Sequence, residues 1–265
     1  SARSEIDALN VFPVPDSDTG TNAYLTFMSG ADAVEAQPDD AGFGRVVKAH
    51  VDGLLTGAKG NTGVILSQLV RACFRDLPID REVGAADVAH AFVAASDAAW
   101  AAVGAPVEGT ILSVAKAAAL GATEAAEAGV DARTAFAQAA RAAREALART
   151  PEQMPLLERA GVDDAGGRAL VVVLDATEQA LTGRVPAQVL AHVPQPAQVA
   201  GDDLSADRPA YELMYLLEAD DDRVPALRTE LMQLGDSLVV VGGDRLWNVH
   251  VHVDDVGAAI EAGIA

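Results

Sequence analysis

The chain is short of four things, and each shortage removes a class of protein. Cys73 is the only cysteine among 265 residues, so no intrachain disulfide forms and a reducing, cytoplasmic setting is expected. Aromatic residues make up 4% of the sequence, while alanine dominates an apolar fraction of 50%. That balance favours closely packed helices over a β-sandwich, whose strands draw on β-branched and aromatic residues. Lys and Arg number 19 against 39 Asp and Glu, a net charge of −20. So acidic a chain disfavours nonspecific binding to nucleic acid or to anionic membrane. It also repels ATP, so any nucleotide site needs metal or local N–H groups. A run of about 18 apolar residues and a signal peptide are both lacking, and no membrane span is expected.

What is present is concentrated near the start. Asn10-Val11-Phe12-Pro13-Val14-Pro15-Asp16-Ser17-Asp18-Thr19-Gly20-Thr21-Asn22 joins two prolines, which hold an extended approach, to two acids one residue apart. Carboxylates about 5 Å apart repel by roughly 1 kcal/mol in water and by several in a drier cleft. A cation relieves that repulsion. Oxygen donors, with Asn10 in reach and no nearby His or Cys, suit Mg²⁺ completed by substrate phosphates. Thr19 to Asn22 then opens a helix whose free N–H groups face the same place. An Asx-rich turn with solvated acids explains the same spacing, so the residues alone leave both readings open.

Helical periodicity follows over 23–36, 43–57, 87–103, 111–127, 131–150 and 168–181. Gly57-Ala58-Lys59-Gly60-Asn61-Thr62-Gly63 is a glycine-rich turn feeding an apolar helix from Val64, a place that favours an anion. It lacks the order of a Walker A loop. Arg141, Arg144 and Arg149 sit toward the end of 131–150, where they complement the helix dipole. Residues 183–208 carry Pro186, Pro194, Pro196 and Gly201 and read as a flexible linker, with His192 at its surface. Strand patterns then appear over 211–218, 237–241 and 247–253, the last two joined by a Gly242-Gly243-Asp244 hairpin turn. With helices over 224–234 and 255–263, the order β-α-β-β-α suggests a small α+β domain of ferredoxin-like type. His250 and His252 fall on one strand face at roughly 6–7 Å, a span that one metal bridges. Two ordinary histidines on a solvated sheet face fit as well.

The 10–22 stretch resembles the signature of the ATP-binding subunit of bacterial fatty acid kinase, whose first domain is related to the nucleotide-binding L subunit of dihydroxyacetone kinase. Gly60-Asn61-Thr62-Gly63 is similar to the Gly-Asn-Ser-Gly phosphate loop of that family. Glu108-Gly109-Thr110 resembles its Glu-Gly-Thr segment, and Val162-Asp163-Asp164-Ala165-Gly166-Gly167 its Val-Asp-Ala-Gly-Gly loop. Leu234 to Val241 and His250-Val251-His252 resemble its middle domain. Ser17 departs from the pattern, since the family usually has Gly there, and a positive φ would strain a serine.

The resemblance covers nearly the whole chain. It implies a mainly α closed helical bundle or barrel over 1–182, then the linker 183–208, then a small α+β middle domain over 209–265. ATP and Mg²⁺ would lie at one end of the bundle. Asp16 and Asp18 would be the catalytic, metal-holding pair, with Asn10 a further ligand. Thr19, Asn22, Gly60, Asn61, Thr62, Gly109, Thr110 and Asp164 would face the nucleotide. In the middle domain the family binds zinc through two histidines and a cysteine. Glu212 stands at the cysteine position here, so Glu212, His250 and His252 are the implied Zn²⁺ ligands. The implied reaction moves phosphate from ATP to a fatty acid carboxylate presented by a separate fatty-acid-binding protein, giving an acyl phosphate. An ionised carboxylate is already the nucleophile and needs no base. The alternatives are a non-enzymatic ADP-binding regulatory subunit or a triose kinase subunit. No apolar acyl pocket is expected, because helix packing accounts for the apolar residues. A further N-terminal helix and a C-terminal partner-docking domain, both present in the family, suggest a fragment, and a homodimer is compatible with the sequence.

Overall fold

The structure is a computed structural model that describes residues 2–78, 80–183 and 209–264. The linker expected at 183–208, with His192, lies outside these residues from position 184 onward. The first part is helical: α1 (Ala2–Leu9), α2 (Thr19–Glu35), α3 (Phe43–Thr56), α4 (Gly60–Arg75), α5 (Ala85–Ala102), α6 (Ile111–Glu127), α7 (Ala132–Leu147), the short α8 (Thr150–Gln153) and α9 (Pro155–Ala160), and α10 (Ala165–Thr182). The mainly α reading therefore holds. Among the described residues no helix is long and apolar enough to cross a membrane. Several helix ends differ from expectation by a few residues. The 131–150 helix stops at Leu147 and is followed by α8 and α9, each opened by a proline in its first turn, where a missing N–H costs nothing.

Alanine sets the packing. Ala118 and Ala122 on α6 and Ala139, Ala140 and Ala143 on α7 are fully buried, and side chains this small let helices approach closely. Arg144 turns inward rather than forming a basic face, donating to Asp175 at 2.6 Å and Glu178 at 3.0 Å on α10. The helices do not consume every apolar residue against one another, however. A hollow of about 250 Å³ remains inside the bundle, lined among others by Phe27, Leu69, Phe92, Phe136, Leu170 and Leu174. This corrects the expectation that helix packing leaves no apolar space.

The second part runs β1 (Tyr211–Glu218), α11 (Val224–Leu234), β2 (Gly235–Gly243), β3 (Leu246–Val253) and α12 (Val256–Ile264). Its sheet has the order β1-β3-β2 with antiparallel pairing throughout, so β3 splits the β-α-β unit as the ferredoxin-like reading requires. The hairpin turn lies at Asp244-Arg245, both with positive φ, the geometry of a two-residue primed turn. Gly242 and Gly243 belong to β2, not to the turn.

β2 and β3 are covered on both faces, while β1 at the edge stays partly exposed. Leu238, Val240, Val249, Val251 and Val253 pack on α11 and α12, while Val239, Val241 and Met214 join the core of the helical part. Asn248 donates to the Leu55 carbonyl at 3.1 Å, and Arg71 pairs with Asp244 at 3.3 Å. The histidine face is thus an interface, which corrects the solvated-face reading of His250 and His252.

Candidate nucleotide and metal site

Helix N-termini from distant parts of the chain meet where the two parts join. A narrow pocket of about 40 Å³ is lined by Asn10, Pro13, Val14, Asp16, Asp18, Thr19, Asn22, Gly60, Asn61 and Thr62, and from the sheet by Glu212, His250 and His252. Beside it, sharing Pro13, Asn61 and Thr62, is a wider pocket of about 110 Å³. Its wall includes Phe12, Ile65, Val107, Thr110, Ile111, Leu112 and Asp164 of the helical part and Ser237 and Val239 of β2.

The narrow pocket gathers nearly all the residues that the motifs single out. Asn10 donates to Asp16, and the 10–18 segment delivers both acids to the start of α2. Lys59 at the head of α4 does not cap its helix with a side chain, so the first-turn positive potential of α4 points into the pocket. At α2 Asp18 makes no cap either, but Asp7 of α1 accepts from Thr21 N–H at 2.8 Å and offsets part of that potential. Gly60 is required at its position: its φ is +57° and a Cβ there would stand 2.4 Å from Asn22 Nδ2. Burial raises the Asp18 carboxyl above the usual range, and the neighbouring Asp16 raises it further. Burial likewise raises Glu212, and Asp18 adds to that shift. Three acids therefore share a confined space, and among the described residues no Lys or Arg lines either pocket.

Mg²⁺ fits this arrangement. Asn10 Oδ1 and Asn61 Oδ1 are buried without a hydrogen-bond donor, and an oxygen so placed calls for a donor or a cation. Two carboxylates with amide oxygens nearby are a hard donor set, one that leaves room for phosphate and water. Zinc fits less well. His250 is 1% exposed and neither ring nitrogen has a hydrogen-bond partner, but its Nδ1 faces Glu212 at 3.4 Å while His252 Nδ1 faces Asp236 at 3.9 Å. Among the described residues no three His, Cys, Asp or Glu side chains gather as a metal cage. Burial, with His252 adding to it, holds the His250 imidazole down to about 3, so it is neutral at ordinary pH.

The remaining positions divide. Thr110 caps α6 by accepting from Leu112 N–H at 3.3 Å, and Asp164 caps α10 by accepting from Gly167 N–H at 2.6 Å; both line the wider pocket. Gly109 lines neither. Its φ is +79° and a Cβ would meet Gln153, Met154 and Thr150 at 3.0–3.1 Å, so it serves the close approach of α8. Ser17 takes φ 59°, a conformation that favours glycine. Residue-level reading missed Phe12, Ile65, Val107, Ile111 and Leu112, which pass for core, and Ser237 and Val239, for which no local signal exists.

Two family models match the chain. The DAK2 domain matches residues 13–179, and the fatty acid kinase A-like middle domain matches residues 208–265. Protein YloV of Bacillus subtilis is 38% identical over 96% of this chain and 48% of its own length. Uncharacterized proteins of Staphylococcus haemolyticus and Staphylococcus aureus are 36% and 35% identical, each over 97% of this chain and 49% of their own. The chain thus spans about half the length of the curated relatives it matches. With one family covering most of the helical part and the other the sheet, the chain belongs to the DAK2 domain family, in the architecture of fatty acid kinase A-like proteins.

Proposed function

We propose that this chain is the ATP-binding, phosphoryl-donating part of a kinase whose acceptor is a fatty acid carboxylate carried by a separate fatty-acid-binding protein. The observation that carries the reading is the pair of adjoining pockets, one acidic and polar at two helix N-termini, the other largely apolar, with no basic side chain in either wall. A triphosphate in the first would meet Asp16, Asp18 and Glu212 with nothing to offset the charge but N–H groups and a bound cation. Mg²⁺, when bound, neutralises the phosphate oxygens and aligns the terminal phosphoryl group.

The residues of the chain then have separate tasks. Asp16 and Asp18 hold the cation, and Asn10 orients Asp16 through its amide. The first-turn N–H groups of α4, those of α2 that Asp7 leaves free, and the Thr19 and Thr62 hydroxyls bind phosphate oxygens. Phe12, Ile65 and Ile111 give the base an apolar seat. None of these groups must take a proton, as befits an acceptor that arrives ionised; positioning and charge neutralisation supply most of the rate. The apolar hollow shares no lining residue with either pocket, which supports an acceptor delivered from outside. Zinc has no part in this proposal.

Asp16→Asn or Asp18→Asn should lower Mg-ATP affinity by roughly 100-fold or more with helical content unchanged. In its full natural length, with a fatty-acid-loaded binding protein and Mg-ATP, the wild type should give acyl phosphate trapped by hydroxylamine. Undiminished affinity in both variants would remove the metal site. Phosphate transfer to dihydroxyacetone on a triose-carrying subunit, with none to fatty acid, would replace the acceptor.

A further inference from the structure

We propose that the small domain is a working wall of the nucleoside pocket, and that Arg228 is the positioning residue that joins the two. The inference rests on the nucleotide reading above and adds what holds the base end of the ligand. Ser237 and Val239 of β2 line the wider pocket directly. So do Val103, Ala105, Val107 and Thr110, from the segment that connects α5 to α6. That segment is not anchored by the helices alone. Val103 bridges Val239 in antiparallel fashion, and Gly104 N–H donates to the Leu238 carbonyl at 2.8 Å. The segment therefore extends the sheet beyond β2 before it turns along the pocket.

Arg228, on α11, fixes this junction. Its Nη1 donates to the Ala101 and Ala102 carbonyls at 3.1 and 3.0 Å, and its Nη2 to the Val240 carbonyl at 2.6 Å. Ala101 and Ala102 end α5, where carbonyls lack helical partners and the dipole favours a cation. One guanidinium thus ties the end of α5 to β2, one residue before the bridge that aims 103–110 at the pocket. Arg228 is not itself a pocket residue, so it acts through those it positions. Ser237 sits at the β2 irregularity between Asp236 and Val239, with φ 53°, and this kink presents it to the pocket. The phosphate pocket is held separately: its sheet residues lie on β1 and β3, and Asn248 anchors β3 to Leu55. Loss of Arg228 should therefore be felt at the base and not at the phosphates.

Mg-ATP and Mg-tripolyphosphate separate the two ends of the site. Calorimetric titrations of wild type, Arg228→Ala and Ser237→Asn should show Mg-ATP affinity lowered about tenfold in both variants. Mg-tripolyphosphate affinity should stay within about twofold. Asn tolerates the left-handed backbone and adds bulk only toward the pocket, so Ser237→Asn decides the matter if Arg228→Ala does not fold. Arg228→Lys, which keeps the charge but not the three-carbonyl fork, should fall between wild type and Arg228→Ala. Equal weakening of both ligands, or unchanged Mg-ATP affinity in the folded variants, overturns the inference. A wild type that binds neither ligand overturns the nucleotide reading itself, whereas a wild type that binds both, with variants to match, removes only the role given to the small domain.

Discussion

Asp164 is a carboxyl with almost no water and a structural duty. Its Oδ2 accepts from Gly167 N–H and opens α10, yet burial pushes it up to about 6 despite the backbone donors that pull the other way, and Asp163 adds to the rise. A folded value above the unfolded 3.8 means that the fold prefers the protonated acid. That stability is fully present below about pH 4 and is lost as pH rises through 6. Asparagine keeps the accepting oxygen and never ionises. Asp164→Asn should therefore exceed wild type in urea unfolding at pH 7.5 by on the order of 2–3 kcal/mol, a margin that narrows as the pH falls toward 4. The acid arm belongs at pH 5, above the pI near 4.4, where roughly half of the margin should remain. Parallel stability–pH curves for the two proteins would refute the argument. Polar site residues such as this one are legible in sequence because their work is local. A cap, a phosphate-facing N–H and a carboxylate pair each need only a few neighbouring positions. At Ser17 the sequence raised only the question of a positive φ, and the structure answers it with φ 59°. Ser237 was not legible, because its importance comes from what lies across the pocket.

Among the helices, what composition conveys and what it hides are both seen in alanine. An alanine-rich, aromatic-poor chain must pack helices closely, and α6 against α7 does so. Composition does not reveal where packing is incomplete, and the hollow inside the bundle lies among larger side chains such as Phe27, Phe92, Phe136 and Leu170, with Ala115 and Ala118 in its wall. Two substitutions distinguish the cases. Ala118 lines the hollow, so Ala118→Leu places three carbons in free space with a good helix former. It should stabilise the fold by about 1 kcal/mol, raising Tm by roughly 2–4 °C. Ala139 is equally buried but is not in the wall of this hollow, so Ala139→Leu should destabilise by about 1–3 kcal/mol through overpacking. Thermal melts that rank the two alike would mean that the hollow closes in solution. Strand ends were less legible than helices. Glycine suggested a turn at 242–243, but in an edge strand it also permits extended backbone with positive φ, and only pairing with Trp247 and Leu246 settles which.

For the molecule as a whole, the sheet gave a partial clue to its neighbour. Leu238-Val239-Val240-Val241 is continuously apolar where a one-sided sheet would alternate, and such a run marks a strand covered on both faces. It does not say by what, so the docking of the histidine face on the helices came only with the structure. That docking places the proposed nucleotide site inside a molecule of charge −20, with Asp16, Asp18 and Glu212 at its wall. The attraction of the helix N-termini acts over about one turn, whereas the net charge acts over the Debye length, roughly 30 Å at 0.01 M salt and 10 Å at 0.1 M. An approaching Mg-nucleotide, itself anionic, is therefore repelled at long range and held only on arrival. Salt screens the repulsion and leaves the buried contacts nearly untouched. Stopped-flow association of Mg-ATP at constant free Mg²⁺ should quicken by a few fold between about 10 and 150 mM salt, while the dissociation rate changes little. This is the reverse of what a basic phosphate site would do. Association that slows as salt rises would mean that the pocket mouth is locally positive, and that cations outside its walls draw the nucleotide in.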